Sequence, residues 1–402
     1  MRIAVIGGGP AGLRAAEVAA QGGATVTLFE AKASVGRKFL VAGRGGLNIT
    51  HAEPIERFRT RYSMPSELWA EMLADFSPED LRAWAAGLGV ETFAASTGRV
   101  YPREMKAAPL LRAWVQRLRQ LSVELHMHHR WTKLMKLDGR WQMDFAVEDH
   151  TRSYAADAVI LALGGGSWPQ TGSDGTWPAI LESLGVKVTS WQPANCGWEC
   201  PWPAEFLAVA EGQPLKNIDA RAGDSMARGE LLVTQYGLEG GALYQLAPAL
   251  RRMAKPALTV DLKPANTVEQ LTAKLGPIRR NFVTEAAARW KLSAPAAALL
   301  AHCATGQTIE SPSHIAELAK RCVVKLTGPR PLAEAISSAG GMAWSELDRG
   351  LMLLGHPGIF AVGEMIDWEA PTGGYLMQGC FATGTRAARA ALAWSTSQAA
   401  NR

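Results

Sequence analysis

Gly7, Gly9 and Gly12 constrain this chain more than any other feature of its sequence. They stand in Gly7-Gly8-Gly9-Pro10-Ala11-Gly12, directly after the strand-like stretch Arg2-Ile3-Ala4-Val5-Ile6. An alanine-rich helix pattern runs from Leu13 to Gln21, and a second strand pattern, Ala24 to Phe29, ends at Glu30. G-x-G-x-x-G carries meaning only between a strand and a helix, and both are present here. Gly7 permits the tight turn, Gly9 lets the backbone approach a pyrophosphate, and Gly12 lets helix and strand pack closely. Pro10 and Ala11 open the helix, whose free N–H groups and partial positive charge suit phosphate. Glu30 stands where a carboxylate accepts hydrogen bonds from a ribose. The stretch reads as a dinucleotide site.

At 402 residues the chain has room for two or three domains with substantial cores. Five cysteines, an odd and sparse set, argue against a disulfide scaffold and for a reducing compartment. Cys196 and Cys200 are the one close pair, and without a second ligand pair they read as structural thiols. The chain enters a strand within two residues, without a signal-peptide layout, and no apolar run approaches the ~20 residues of a membrane span. A cytoplasmic protein is expected. A net charge of +5 is too small to establish nucleic-acid binding, yet it leaves room for a basic patch such as Arg251-Arg252 or Arg279-Arg280.

After Glu30, the glycines 43, 45 and 46, flanked by Arg37, Lys38 and Arg44, predict a loop able to line an anion. Apolar spacing of three and four predicts helices at Pro65–Ala74, Pro78–Gly87 and Ala107–Leu121, with a turn or hairpin at 97–102. Alternation over 123–128, 131–137 and 141–147 predicts a β-meander, with His126, His128 and His129 on a solvated strand face rather than on a metal. A buried strand, Ala156–Leu163, closes at Gly164 and returns the sheet to the cofactor end. The tryptophan- and proline-rich stretch 191–203 reads as a linker. Mixed strands and a helix (Ala242–Met253) follow over 204–262, and alanine-rich helices broken at Pro277, Pro295 and Pro312 over 266–326. The expected fold is α/β: a discontinuous Rossmann-like domain, 1–188 and 335–402, interrupted by a β-rich cap, 189–264, and a small helical subdomain, 265–334.

The end of the chain repeats the opening pattern. Strand Gly358–Val362 leads to Gly363-Glu364, and Thr372-Gly373-Gly374 opens a last helix that runs to about Trp394. One mononucleotide needs one such site; FAD can use both. Its pyrophosphate would lie at Gly7–Gly12, a ribityl hydroxyl at Glu364, and the flavin's N1/O2 edge at the helix following Gly374.

These motifs resemble the BaiN-like, aminoacetone-oxidase-related family of FAD-dependent oxidoreductases. The matching stretches are GGGPAGLRAA (7–16), GRKFLVAGRGGLNIT (36–50), LALGGGSWPQTGSDG (161–175), VTQYGLEGGAL (233–243) and GIFAVGEMIDWEAPTGGYLMQGCFATG (358–384). The resemblance implies non-covalent FAD lined by Gly7, Gly9, Pro10, Ala11, Gly12, Glu30, Lys38, Gly43, Asn48, Gly164, Gly363, Glu364, Thr372, Gly373 and Gly374. Two departures from the family stand out. Gly46 and Leu47 replace a common Arg-Cys pair, and Gln235 replaces a usual histidine. These changes leave the flavin reading intact and remove any transfer of substrate identity. The resemblance allows NAD(P)H-linked reduction of an activated C=C bond in a small molecule or in a uracil of ribosomal RNA, and also oxidation of a small amine by oxygen. The reductase is favoured because the sequence shows no amine-binding carboxylate cluster. No complete second G-x-G-x-x-G is present, so NAD(P)H would bind only transiently. Tyr236, Gln235 and Tyr375 are the catalytic candidates, and a non-catalytic flavin sensor is the remaining class.

Overall fold

The computed structural model describes residues 1–43, 45–63 and 65–400, with side chains to Trp394. It divides into two compact units, residues 1–192 with 337–402, and residues 193–336.

The first unit is built on a five-stranded parallel sheet. Strand β1 (Arg2–Ile6) lies at its centre, between Ala158–Leu161 and β2 (Thr25–Phe29). Ile359–Ala361 and Glu124–His126 form the edges. Ile3 to Ile6 and Ala158 to Leu161 are all buried, as expected for strands covered on both faces. The glycine-rich turn after β1 enters helix α1 (Pro10–Gln21), where Pro10 in the first turn costs no hydrogen bond. The last helix, Tyr375–Ala400, lies along α1. Small residues set this close approach: a Cβ on Gly384 would overlap the Ala11 carbonyl, and one on Gly22 the Leu392 side chain.

Glu17 fastens α1 from its other side. Its fully buried carboxylate accepts from Trp84 Nε1 (2.9 Å), Trp114 Nε1 (3.0 Å), Arg14 Nη1 (3.3 Å) and Arg117 Nη1 (3.2 Å). A buried carboxylate is tolerable only with its lone pairs filled in this way. The bonds join α1 to the helices Pro78–Ala86 and Ala107–Gln120.

The second unit is a seven-stranded antiparallel sheet packed on helix Gly241–Arg251 and four further helices between Val268 and Lys320. One apolar core runs through both parts, joining Leu231 and Val260 of the strands to Leu271, Leu299 and Ile315 of the helices. Among the described residues no helix is long and apolar enough to cross a membrane.

Several expectations are corrected. Glu124–His126 joins the parallel sheet; the meander is Arg130–Leu137, Arg140–Val147 and His150–Ala156. His129 is buried, with Nε2 at 3.0 Å from the Tyr154 hydroxyl and Nδ1 at 2.7 Å from the Met127 carbonyl. With half-buried His126 it packs on Phe29, so only His128 keeps the solvated face. The stretch 191–203 is no linker: Trp198 and Trp202 are buried, and Trp198-Glu199 is a strand. Pro295 and Pro312 begin helices rather than break them. Residues 37–42 of the expected loop form a helical turn and a half, and Arg44 lies outside the described residues.

Candidate cofactor site

The opening turn has the shape its glycines predict. Gly7 adopts φ +113° with the Ala162 carbonyl where a Cβ would go, and a Cβ on Gly12 would overlap the Gly7 carbonyl. Gly9 differs: nothing lies within 4 Å of its missing Cβ. No side chain caps α1, so its first N–H groups face this open space. Gly7 and Gly12 are held by packing, and Gly9 leaves the cradle clear for phosphate.

Glu30 closes the cradle at the end of β2. Oε2 accepts from Gly8 N at 2.9 Å and Oε1 from Lys32 N at 2.8 Å. Burial raises its pKa, while these two bonds and Arg37 and Lys32 pull it down. Each carboxylate oxygen keeps lone pairs for a ribose.

A second polar cluster forms around Glu364. Lys38 Nζ donates to its Oε2 (2.9 Å) and to Ser167 Oγ (2.6 Å). Ser338 N reaches Oε1 at 2.8 Å, and Ser338 Oγ accepts from Gly166 N at 3.1 Å. Gly363, at φ +75°, approaches Ala11 so closely that a Cβ would stand 2.7 Å from the alanine methyl. That contact brings Glu364 to the N-terminus of α1. Gly363 N donates to Thr383 Oγ1 and its carbonyl accepts from Trp368 Nε1, which fixes the turn.

The third cluster lies at the start of the last helix. Gly373 (φ +123°) and Gly374 (φ +95°) make the turn, and a Cβ on Gly374 would stand 2.5 Å from the Thr50 backbone. Thr50 leads back to Asn48, whose Nδ2 donates to the carbonyls of Thr50 and Val100, both at 2.9 Å. Its Oδ1 is buried with no hydrogen-bond partner. A buried acceptor left unfilled costs about 1–3 kcal/mol, so this atom points to a ligand donor. Tyr375 O–H donates to Glu53 Oε1 at 2.5 Å, Arg61 holds the same carboxylate through Nε (2.9 Å) and Nη2 (2.7 Å), and His51 stacks on the Tyr375 ring at 5.3 Å.

These three clusters all belong to the first unit. The family model for HI0933-like proteins with a Rossmann domain matches residues 1–390. The chain belongs to the HI0933-like family. It is an FAD-dependent oxidoreductase of that family, as its motifs imply. Over 97% of this chain and 98% of the relative's length, it is 27% identical to a 3-dehydro-bile acid delta(4,6)-reductase of Clostridium scindens. It is 23% identical to a ribosomal RNA dihydrouridine synthase of Haemophilus influenzae, over 66% of this chain and 65% of that one. Among solved structures, a 3-ketosteroid-delta4-(5alpha)-dehydrogenase from Rhodococcus jostii RHA1 matches with TM-score 0.53 at 16% identity, covering 97% of this chain and 96% of that one. A 3-ketosteroid delta1-dehydrogenase from Sterolibacterium denitrificans matches with TM-score 0.53 at 12% identity, covering 97% and 99%. At these identities the two structures speak for the fold of this HI0933-like chain.

The remaining expected residues are spread more widely. Gly43 ends the 37–42 helix, where a Cβ would stand 2.5 Å from the Ala107 methyl. Gly164 (φ +71°) turns beside Ser173, and its carbonyl accepts from Trp177 Nε1. Thr372 precedes the glycine turn and is half-buried. Of the catalytic candidates, Tyr375 is buried with its hydroxyl taken by Glu53, so it has no free proton for a substrate. Gln235 and Tyr236 form the hairpin turn between Ser225–Thr234 and Gly237–Glu239 in the second unit. Gln235 is exposed; Tyr236 bonds Glu239, with the Arg330 guanidinium 4.5 Å over its ring. The departure at 46 has a local cause. Gly46 takes φ +110°, and a Cβ there would stand 2.5 Å from the Met105 methyl, so an arginine would need a different neighbour.

Sequence reasoning missed Glu53, Arg61, Ser167 and Ser338. Ser167 follows the glycines 164–166 without any sign of its partner Lys38, Ser338 meets Glu364 and Glu53 meets Tyr375 only across the fold, and Arg61 with Glu53 reads as a solvated pair. The pairing of a turn glycine with a distant strand left no local signal.

Proposed function

We propose that this protein reduces an activated C=C bond of a small molecule, with NAD(P)H as the hydride source and FAD as the carrier. The observation that carries this reading is the match, across nearly the whole of both chains, to a relative named as a C=C reductase. The site's polar atoms fit FAD. The α1 N-terminus and the clear space at Gly9 suit a pyrophosphate, and Glu30 suits a ribose. Glu364 and Lys38 suit the ribityl hydroxyls, and the unfilled acceptor of Asn48 suits a ring N–H of the flavin. When bound, FAD would supply the two-electron relay between nicotinamide and substrate.

The protein's own part is to bind and to orient. Reduction adds hydride to one carbon of the double bond and a proton to the other. A general acid or solvent would supply that proton. Residues 189–264 with 265–334 would carry substrate contacts, and the cytoplasm is the proposed compartment. Double-mixing kinetics test the reading: the FAD-loaded protein is reduced by NADH or NADPH without oxygen and then mixed with a substrate bearing an activated C=C bond. Reoxidation of the flavin by that substrate supports it. A reduced flavin that only oxygen reoxidises would overturn it.

A second reading has its own observation, the similarity to ribosomal RNA dihydrouridine synthases. There the substrate C=C would be that of a uracil in RNA. Binding of purified protein to ribosomal RNA at low salt, lost at high salt, would favour it. No binding at low salt would eliminate it.

A further inference from the structure

We infer that Arg99 is the cation that sets the redox potential of the cofactor held at the Gly373–Gly374 turn. The inference rests on the FAD reading above. Arg99 lies on the strand Arg99–Pro102, paired in register with His51 of the strand Thr50–His51. Its Nε stands 4.0 Å from the position a Cβ on Gly373 would occupy, so the guanidinium flanks the turn itself.

The surrounding charges leave Arg99 as the uncompensated one. Two guanidiniums and an imidazole lie around Tyr375: Arg61, Arg99 and His51. Arg61 pairs with Glu53 through two hydrogen bonds, and the same carboxylate meets Arg57 Nε at 3.4 Å and accepts the hydrogen bond of the Tyr375 hydroxyl. The neutral form of His51 is favoured. Burial lowers its pKa, Arg61 and Arg99 lower it further, and Glu53 opposes them. Arg99 is exposed, and its side chain makes no hydrogen bond or ion pair among the described residues. One whole positive charge therefore stands beside the turn, where the helix N-terminus supplies only a partial one.

A cation there has a specific effect. Two-electron reduction of FAD places negative charge on the N1–C2=O edge of its ring, so a neighbouring positive charge favours the reduced form. Exposure and salt weaken this attraction, so it should be strongest at low ionic strength. Arg99 is thus a positioning charge, one that tunes the cofactor without touching substrate.

The test compares the FAD-loaded natural protein with Arg99→Gln and Arg99→Lys by spectroelectrochemical titration. Arg99→Gln should shift the oxidised-to-reduced equilibrium about tenfold toward the oxidised form, a fall of about 30 mV for a two-electron couple. Arg99→Lys, which keeps the charge, should restore most of that shift. Thermal stability and affinity for oxidised FAD should stay the same in both variants, because the side chain has no protein partner to lose. An unchanged potential in Arg99→Gln overturns the inference while leaving the cofactor reading intact, and so does a raised substrate KM at unchanged potential. Failure of the natural protein to take up FAD overturns both.

Discussion

Tyr375 donates its phenolic proton to Glu53 Oε1 at 2.5 Å, across 322 residues of sequence. This bond ties the first residue of the last helix to a short segment near the start of the chain. Tyr62 adds a second tie by donating to the Tyr375 carbonyl at 2.8 Å. The glycine turn at 373–374 is thereby fixed from both sides. Tyr375→Phe removes a charge-assisted hydrogen bond worth about 1.5–3 kcal/mol. Chemical denaturation should show a loss of that size, together with weaker FAD binding. Full stability in the variant would mean that the bond does not hold the turn.

Gly9 and Gly12 are separated by three positions and should fail differently. A Cβ on Gly12 overlaps the Gly7 carbonyl, so Gly12→Ala should destabilise the folded protein and abolish FAD binding. A Cβ on Gly9 meets nothing within 4 Å, so Gly9→Ala should fold with nearly unchanged Tm and still bind FAD poorly. Calorimetry and a flavin fluorescence titration separate the two effects. Tight FAD binding by Gly9→Ala would place the pyrophosphate elsewhere.

Glu30 makes FAD binding sensitive to acid. Its folded pKa lies above the ordinary 4.5, chiefly through burial. In the protein without cofactor, its contribution to stability is therefore present below the ordinary value and lost as pH rises through the raised one. Ribose recognition uses the ionised form, so FAD affinity should be present above the raised value and fall as pH drops through it. Glu30→Gln should bind FAD more weakly at pH 7 and lose this pH dependence. A variant that retained the acid dependence would assign it to another group.

Glu17 makes a structural prediction. Glu17→Leu would leave the Trp84 and Trp114 indoles and the Arg14 and Arg117 guanidiniums without their shared acceptor. Breaking a buried pair from one side costs about 3–5 kcal/mol, enough to lower Tm by several degrees or prevent folding at all. A variant within about 1 kcal/mol of the natural protein would show that the network contributes little.

Sequence alone made the framework legible where chemistry is local. The strand, turn and helix of 2–21 follow from glycines whose roles depend on their immediate neighbours, and the structure gives Gly7 the positive φ of the turn and Gly12 the close helix contact. Gly373 and Gly374 were readable for the same reason. Glu53 and Arg61 were not, because a charged pair flanking the short helix Ile55–Phe58 looks like a solvated surface until its distant partner Tyr375 is known. The meander failed through a different cause. Alternation over 123–128 describes any strand, and only the parallel neighbour β2 reveals that 124–126 belongs to the Rossmann sheet. His129 shows the same limit: a period of two distinguishes faces without saying which one the aromatic cluster of Phe29, Phe145 and Tyr154 will cover. The close approach of Gly43 to Ala107, between residues 64 positions apart, left no mark in the sequence either.

Anaerobic rapid mixing of the FAD-loaded protein with NADH or NADPH tests the central claim most directly. The flavin absorbance band should bleach quickly with one of the two donors, and the reduced protein should then recover its colour on addition of a substrate with an activated C=C bond. A yellow protein that neither nicotinamide bleaches, but that a small amine does, would contradict the reductase reading and establish an oxidase.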